Sequence, residues 1–378
     1  MLSMPALATT LLADDVCERI DAHAMFLAGR GRDIISEQAR REQKTLSFVP
    51  VNFSQVPRLF EESIDLDTFA VTVSPVDRGG YFSLGTANDF SSVAARQARR
   101  LLVEVNSNMP RVFGQSQIHI SEVDAIVEND FPLPEAPEAR SSEAASVIGG
   151  SVASLVPNGA TLQLGIGRLP AAVADSLRGH EQLGIHSEML TPPLVDLVQR
   201  GVVTGERKSR HRRKHVFTNA LGNREMYERM NDDAGFESYP VSYVNDIRVI
   251  AEHDNFISIN TAIEVDLYGQ VNAEFLSESE YSGSGGQFDF VKGSSLSRGG
   301  KSIIVLESTA DHGSASTIVP KVGMVTDDRM DVEYIVTEHG VVNLRGRSTG
   351  ERALGLIGVA DPNFRDELLT VAKRMALV

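Results

Sequence analysis

The chain has 378 residues, 42% of them hydrophobic and 23% charged, which is enough for two soluble globular domains, each with its own core. Its formal net charge of −15 argues against general binding to nucleic acid or to an anionic membrane surface. Cys17 is the only cysteine, which excludes intramolecular disulfides and zinc sites that need several cysteines.

In chain order, the first twelve residues are mildly apolar but lack the basic region of a signal peptide, and no later run is long enough to span a membrane. We therefore expect a cytoplasmic protein. Apolar, β-branched runs at 69–73 and 101–105 predict strands, and residues 90–100 between them predict a helix that Asp89 could cap. Strand, helix and strand at this spacing indicate parallel α/β structure.

Residues 130–139 contain three prolines and several acidic residues, which is typical of a stiff, solvated connector. We place a domain boundary there, giving an N-terminal α/β domain at 1–135 and a C-terminal α/β domain at 136–378. In the second domain we expect a helix at 145–156, a buried strand at 160–164 and a second helix with Pro170 near its first turn. Further strands are predicted at 248–250, 256–259, 302–306 and 332–336, with a closing helix at 363–377.

Glu264 lies inside the apolar run 255–272, where an acid is costly unless a partner or a reaction uses it. One interpretation is a nucleophilic carboxylate for acyl chemistry. The alternative is a strand-end carboxylate that hydrogen-bonds a neighbouring turn, and the local pattern alone favours this alternative.

Two glycine-rich segments could supply backbone N–H groups to an anion. The turn Gly165-Ile166-Gly167 stands between a predicted strand and a helix, where a phosphate or an oxyanion can bind, although a structural tight turn explains it equally well. In the segment 282–290, Gly283, Gly285 and Gly286 are costly in backbone entropy, which favours close approach of a ligand to the backbone, with Gln287 next to it.

Other polar segments have weaker signals. The basic run 207–215 is read as a solvated loop, with a landing site for phosphates as the alternative. His186 and Glu188 lack a partner cluster in the sequence, so a satisfied core histidine is favoured over pocket lining, and a metal site is not expected.

These segments together resemble the acetyl-CoA hydrolase/transferase family, which includes 4-hydroxybutyrate, butyrate and succinate:acetate CoA-transferases. The resemblance rests on motifs that run in order from about residue 48 to the C-terminus. They lie at 80–85, 104–111, 162–167, 183–189, 239–246, 259–266, 269–272, 283–290 and 336–340.

The resemblance implies an α/β fold of two open α/β/α domains of the CoA-transferase type, with the active site between them. It implies a ping-pong CoA-transferase acting on acyl-CoA and small carboxylic acids, with Glu264 as the covalent nucleophile and Glu274 as the fallback. An oxyanion site is implied at the N–H groups of Ile166 and Gly286. Coenzyme A would be a substrate, with no metal or prosthetic group, no nucleic acid and no membrane partner. We also expect a homo-oligomer.

Two alternatives remain open. An acyl-CoA hydrolase could use the same glutamate with water as the final acceptor. A catalytically impaired CoA-binding homologue is the second alternative, because residues 1–45 match the family poorly and lack the glycine-rich loop that usually precedes this region.

Overall fold

The structure is a computed structural model that describes residues 12–13, 16, 19–41, 45–137, 142–276 and 279–378. The predictions for residues 1–11, Cys17 and the last part of the connector, 138–139, concern parts of the chain outside these ranges. Within them the fold is mixed α/β with parallel sheets, as the sequence predicted.

The α-helices of the described ranges are α1 Arg30–Arg41, α2 Val56–Glu62, α3 Ser91–Gln97, α4 Glu143–Ala153, α5 Arg168–Ser176, α6 Pro192–Gln199, α7 Arg224–Met230, α8 Val241–Val244, α9 Ile247–Ala251, α10 Gln287–Leu296, α11 Thr349–Val359 and α12 Arg365–Arg374.

The strands of the same ranges are β1 Ala22–Ala24, β2 Leu46–Phe48, β3 Thr68–Val73, β4 Tyr81–Ser83, β5 Arg100–Val105, β6 Phe113–Gly114, β7 Gln117–His119, β8 Ala125–Glu128, β9 Thr161–Leu164, β10 Gly184–Leu190, β11 His215–Ala220, β12 Phe236–Ser238, β13 Phe256–Thr261, β14 Glu264–Asp266, β15 Val271–Asn272, β16 Phe275–Leu276, β17 Ser279–Glu280, β18 Lys301–Val305, β19 Thr309–Ala310, β20 Ala315–Ser316, β21 Ile318–Val319, β22 Tyr334–Thr337 and β23 Gly340–Asn343.

The chain forms two compact units, and the larger comprises residues 53–260 and 292–302. Its main sheet has the strand order β13-β9-β10-β11-β12-β6, and these neighbours are parallel. From β9 the chain continues through β10, β11 and β12 on one side, whereas β13 lies on the other side. The strand order therefore reverses at β9, and in open α/β sheets ligands bind outside the carboxyl ends of the strands at such a reversal.

The other unit comprises residues 1–52, 261–291 and 303–378. It contains the small sheet β15-β14-β21, in which Glu264 pairs with Asn272, and the parallel pair β18 and β22 with β23 at the antiparallel edge. Its core is a cluster of aliphatic side chains from these strands and from α11 and α12, including Val265, Val271, Ile335 and Leu356. The N-terminal pair β1 and β2 has its own apolar cluster with α1.

These units follow spatial contact, whereas the predicted boundary at 135/136 concerns the order of domains along the chain, and it stays a prediction. The connector itself forms neither helix nor strand over residues 130–137, apart from a single bridge between Glu135 and Gly222.

One predicted strand is wrong. Residues 248–250 belong to helix α9, although Val249 and Ile250 favour strands by propensity. The reason is an N-cap: the side chain of Asp246 accepts a hydrogen bond from the backbone N–H of Arg248 and thereby starts a helix. Strands β10 and β11 were not predicted, because polar side chains interrupt their apolar pattern.

Candidate active site

The predicted Gly-Ile-Gly turn stands at the carboxyl end of β9, where the strand order reverses. The N–H of Gly165 donates to Ile259 of the neighbouring strand at 2.9 Å. Gly167 has φ 105° and is the N-cap of α5, and because glycine has no side chain it makes no side-chain capping hydrogen bond. Between them the side chain of Ile166 is 51% exposed. A helix N-terminus without a side-chain cap, beside an exposed turn, is suited to binding an anion.

Behind this turn lies a pair of buried amides that the sequence did not single out. Gln163 and Asn260 hydrogen-bond each other in both directions, at 2.9 Å each way. A Cβ added at Gly165 would lie 3.4 Å from the carbonyl oxygen of Ile259. This distance is an ordinary van der Waals contact, so β13 leaves room for a small side chain at position 165.

Glu188 lies on β10, directly beside the same turn. The parallel register pairs Gly184 with Thr161, so its continuation places Glu188 opposite Gly165. The carboxylate is half-buried and accepts a hydrogen bond from the side-chain amide of Asn245 at 2.6 Å, and Asn245 is fully buried. The structure thus brings a carboxylate, an amide donor and a glycine turn together toward the carboxyl ends of β9 and β10.

His186 anchors the segment that carries this amide. Its Nε2 donates to the carbonyl oxygen of Val244 at 2.7 Å, while Nδ1 has no hydrogen-bond partner among the described residues. Burial holds the pKa of His186 well below its usual value, so the ring is neutral. This is the core histidine that the sequence favoured, although only one of its two nitrogens is satisfied.

Glu264 begins β14 in the other unit and is also half-buried. Its carboxylate accepts a hydrogen bond from the side-chain amide of Asn272 at 3.3 Å. The fallback residue, Glu274, accepts from the hydroxyl of Thr326 at 3.0 Å and from the backbone N–H of Ser284. Burial raises the pKa of Glu274.

The glycine loop at 283–286 packs against the N-terminal part of its own unit. Gly283 has φ 131°, and a Cβ there would lie 2.9 Å from the carbonyl oxygen of Met25. Gly285 has φ 52°, and the hydroxyl of Ser284 donates to Val51 at 3.4 Å. Contacts within the protein therefore account for part of the glycine content that the sequence attributed to a ligand.

Helix α10 begins directly after this loop. The N–H of Phe290 donates to the carbonyl oxygen of Gly286 at 3.2 Å. The side-chain amide of Gln287, which follows the glycines of the loop, donates to the carboxyl of Asp327 at 2.7 Å. Gln287 thus has a partner inside the protein.

The basic run is largely engaged with carboxylates of the protein itself. Arg210 pairs with Glu252, and Lys214 lies 3.0 Å from Glu237. Lys208 is buried, and its ammonium nitrogen donates to the carbonyl oxygens of Ile185 and Lys214 at 2.7 and 2.8 Å. Burial lowers the pKa of Lys208 to about 7. These pairings weaken the alternative of a landing site for phosphates.

The described residues contain no group of three or more His, Cys, Asp or Glu side chains that could hold a metal ion. Among them, too, no helix combines the length and the apolar character needed to cross a bilayer.

Comparison with known proteins assigns the family. Residues 20–135 match the acetyl-CoA hydrolase/transferase N-terminal domain, and residues 222–372 match the acetyl-CoA hydrolase/transferase C-terminal domain. The 4-hydroxybutyrate coenzyme A transferase of Clostridium kluyveri is 41% identical, over 93% of this chain and 82% of that relative. The succinyl-CoA:cyclohexane-1-carboxylate CoA transferase of Geobacter metallireducens is 40% identical, over 96% and 82%. The crystal structure of RipA from Yersinia pestis superposes with a TM-score of 0.95 at 50% identity, over 97% of this chain and 84% of that chain. The chain is therefore an enzyme, a CoA-transferase that belongs to the acetyl-CoA hydrolase/transferase family.

Proposed function

We propose that this enzyme moves CoA between an acyl-CoA and a small carboxylic acid by a ping-pong route through a glutamyl-CoA thioester. The observation that carries the proposal is the half-buried carboxylate of Glu188 beside the Gly-Ile-Gly turn, in a chain whose relatives are CoA-transferases. A carboxylate partly removed from water is a stronger nucleophile than a hydrated one.

The first half-reaction has two steps. A glutamate oxygen attacks the thioester carbonyl carbon, the C–S bond breaks and CoA leaves as the thiolate, which gives an acyl-glutamyl anhydride. The thiolate then attacks the glutamyl carbonyl carbon, and the donor acid leaves as its carboxylate. The enzyme now holds CoA as a thioester.

The second half-reaction reverses these steps with a different acid. The acceptor carboxylate attacks the glutamyl thioester and releases the CoA thiolate, which then attacks the acyl carbonyl of the new anhydride. The new acyl-CoA forms and the glutamate is restored. Protons and electrons balance without a further reactant.

Glu188 is the nucleophile that the fold favours. It lies on the strand next to the turn, at the sheet edge where the strand order reverses, which is where ligands bind in open sheets. The amide of Asn245, 2.6 Å from its carboxylate, is placed to stabilise negative charge on the glutamyl oxygen during the second attack.

Glu264 is the second candidate, with Glu274 behind it. Glu264 follows the carboxyl end of β13 by three residues and has an amide donor in Asn272, at the longer distance of 3.3 Å. Two isosteric variants separate the two main candidates, as described in the Discussion.

Negative charge on the substrate oxygen needs donors as well. In the larger unit we propose the backbone N–H of Ile166 for this role, with Gly165 and Gly167 shaping the turn. In the other unit we propose the backbone N–H of Gly286, with Gly283, Gly285 and Gln287 as CoA-binding residues. The uncapped start of α5 supports the first of these positions.

A donor-and-acceptor assay tests the transferase proposal. Purified enzyme is incubated with acetyl-, butyryl- or succinyl-CoA, with and without acetate or succinate, and the new acyl-CoA and free CoA are quantified. We expect new acyl-CoA only when an acceptor acid is present. Steady release of free CoA at the same rate without any acid would identify a hydrolase, and binding without turnover would identify an impaired homologue.

A further inference from the structure

Asp327 is a fully buried carboxyl group beside the glycine loop, and the steps above do not use it. Its backbone is fixed: the N–H of Val271 donates to its carbonyl oxygen at 3.0 Å, and its own N–H donates back at 3.2 Å. Its Oδ2 accepts the hydrogen bond from Gln287 at 2.7 Å. A rigid backbone and a short side-chain contact make Asp327 an anchor for Gln287.

Among the described residues, the strongest charge effects on this carboxyl group come from other acids. Its Oδ1 has no hydrogen-bond partner among the described residues, and the charged groups that act on it are the acids Glu274, Asp328 and Asp331. These acids come from both segments that flank Asp327, the turn after β15 and residues 328–331. Burial and these acids raise the pKa of Asp327 to about 7.

Gln287 links Asp327 to the glycine loop. It is the first residue of α10, and its backbone N–H donates to the carbonyl oxygen of Ser284 at 3.2 Å. The loop has a second tether, because Glu274 accepts a hydrogen bond from the backbone N–H of Ser284. Movement of the Gln287 side chain would therefore move the adjacent Gly286.

We propose that Asp327 is a positioning residue, which holds Gln287 and thereby fixes the backbone N–H of Gly286 for acyl transfer. This inference rests on the proposed function of the glycine loop. The anchor acts best as the neutral acid, because an ionised Asp327 would place an uncompensated negative charge next to the loop that must stabilise an oxyanion. Ionisation near neutral pH then lowers the rate.

Two substitutions at Asp327 test the geometry and the charge separately. Asp327→Asn keeps a carbonyl oxygen that can accept from Gln287 and has no charge at any pH. We expect the wild-type rate to fall as pH rises through 7, and we expect Asp327→Asn to keep kcat within about threefold at acidic pH and to lack that fall. Asp327→Leu removes the acceptor, and we expect kcat to fall by about tenfold or more with little change in KM.

Gln287→Leu is the matched control from the other side of the contact. We expect a similar loss in kcat, and the double variant with Asp327→Leu should be no slower than either single variant, since both remove the same contact. An Asp327→Asn enzyme that keeps the fall through pH 7, an Asp327→Leu enzyme with full kcat, or additive losses in the double variant would each overturn the proposal. Circular dichroism melts confirm that the variants compared are folded.

An infrared titration reports on Asp327 without turnover. The folded wild-type protein should show the C=O band of a buried protonated carboxyl that disappears as pH rises through about 7, and Asp327→Asn should lack it. Absence of this band from the wild type contradicts the positioning proposal even if CoA transfer is rapid. A titrating band in an enzyme that transfers no CoA overturns the proposed function, while the state of Asp327 stands.

Discussion

Glu188 and Glu264 are both half-buried, and each accepts a hydrogen bond from a side-chain amide, yet their surroundings differ. Glu188 lies opposite Gly165, on a strand of the large parallel sheet, and its amide donor is fully buried. Glu264 begins a short strand and pairs with Asn272, which supplies its donor from the same hairpin. At the residue scale, the difference between a fixed partner from a distant segment and a local hairpin partner favours Glu188 as the nucleophile.

Matched glutamine variants test this preference. Glu188→Gln keeps the shape and removes the nucleophilic oxygen, so we expect kcat/KM for CoA transfer to fall by at least about a thousandfold. Glu264→Gln is the control, with an expected loss below about tenfold. The opposite ranking in steady-state assays would assign the nucleophile to Glu264, and equal, small losses would remove both residues from covalent catalysis.

The sequence indicated Glu264 as the nucleophile, and that assignment stays a prediction beside the proposal of Glu188. Glu264 stands out because its neighbours are apolar, which is a local signal. The donor to Glu188 comes from Asn245, 57 residues away in the chain, so no local pattern could indicate that pair. The burial of Lys208 had no local signal either. The sequence placed it in a solvated basic run, whereas its ammonium group is buried and donates to two carbonyl oxygens.

At the scale of elements, long apolar runs were predicted well, whereas interrupted runs were not. The runs that became β3, β5, β9, β13, β18 and β22 were recognised from their sequence. In β10, His186, Ser187 and Glu188 break the apolar pattern, although the strand is central to its sheet. Helix α9 was misassigned because a single cap, Asp246, outweighs the strand propensity of the residues that follow.

The turn before α5 gives a prediction about one glycine. Gly167 has φ 105° and ψ −171°, a region that is nearly exclusive to glycine, and no atom would lie within 4 Å of an added Cβ. Gly167→Ala should therefore cost about 1–3 kcal/mol in the free energy of unfolding through backbone strain alone, and it should lower CoA transfer as the turn shifts.

Gly150→Ala is the matched control within α4. Space around that glycine is also open, but its backbone is helical, so alanine should stabilise the protein by about 0.5–1 kcal/mol. Urea denaturation of both variants gives the comparison. If Gly167→Ala were as stable as the wild type, the strained turn could not be a built feature of the site.

At the scale of the whole molecule, two buried groups, Lys208 and Asp327, each have a pKa of about 7 and should shape the pH dependence of stability. Asp327 has a folded pKa of about 7 against an ordinary value of 3.8, so the native state binds more protons between these values, and stability falls as pH rises through that window. Lys208 has a folded pKa of about 7 against 10.5, so the native state binds fewer protons, and stability rises from about pH 7 upward.

Differences between wild type and variants isolate these two groups, because other titrating residues cancel. The stability of the wild type relative to Asp327→Asn should fall between about pH 4 and 7 and then stay level. The stability of the wild type relative to Lys208→Met should rise as the pH increases above 7. Thermal melts across pH 4–9 measure both stability differences. If neither difference changed with pH, burial would not have shifted the pKa of either group.

The most direct test of the covalent route is the site of the enzyme-bound CoA. Enzyme is mixed with acyl-CoA in the absence of an acceptor acid, digested at acidic pH, and its peptides are mapped by mass spectrometry. We predict a CoA thioester on the peptide that contains Glu188, lost in Glu188→Gln and kept in Glu264→Gln. An adduct on the Glu264 peptide would contradict the assignment of the nucleophile, and an enzyme that transfers CoA while forming no adduct would contradict the ping-pong mechanism itself.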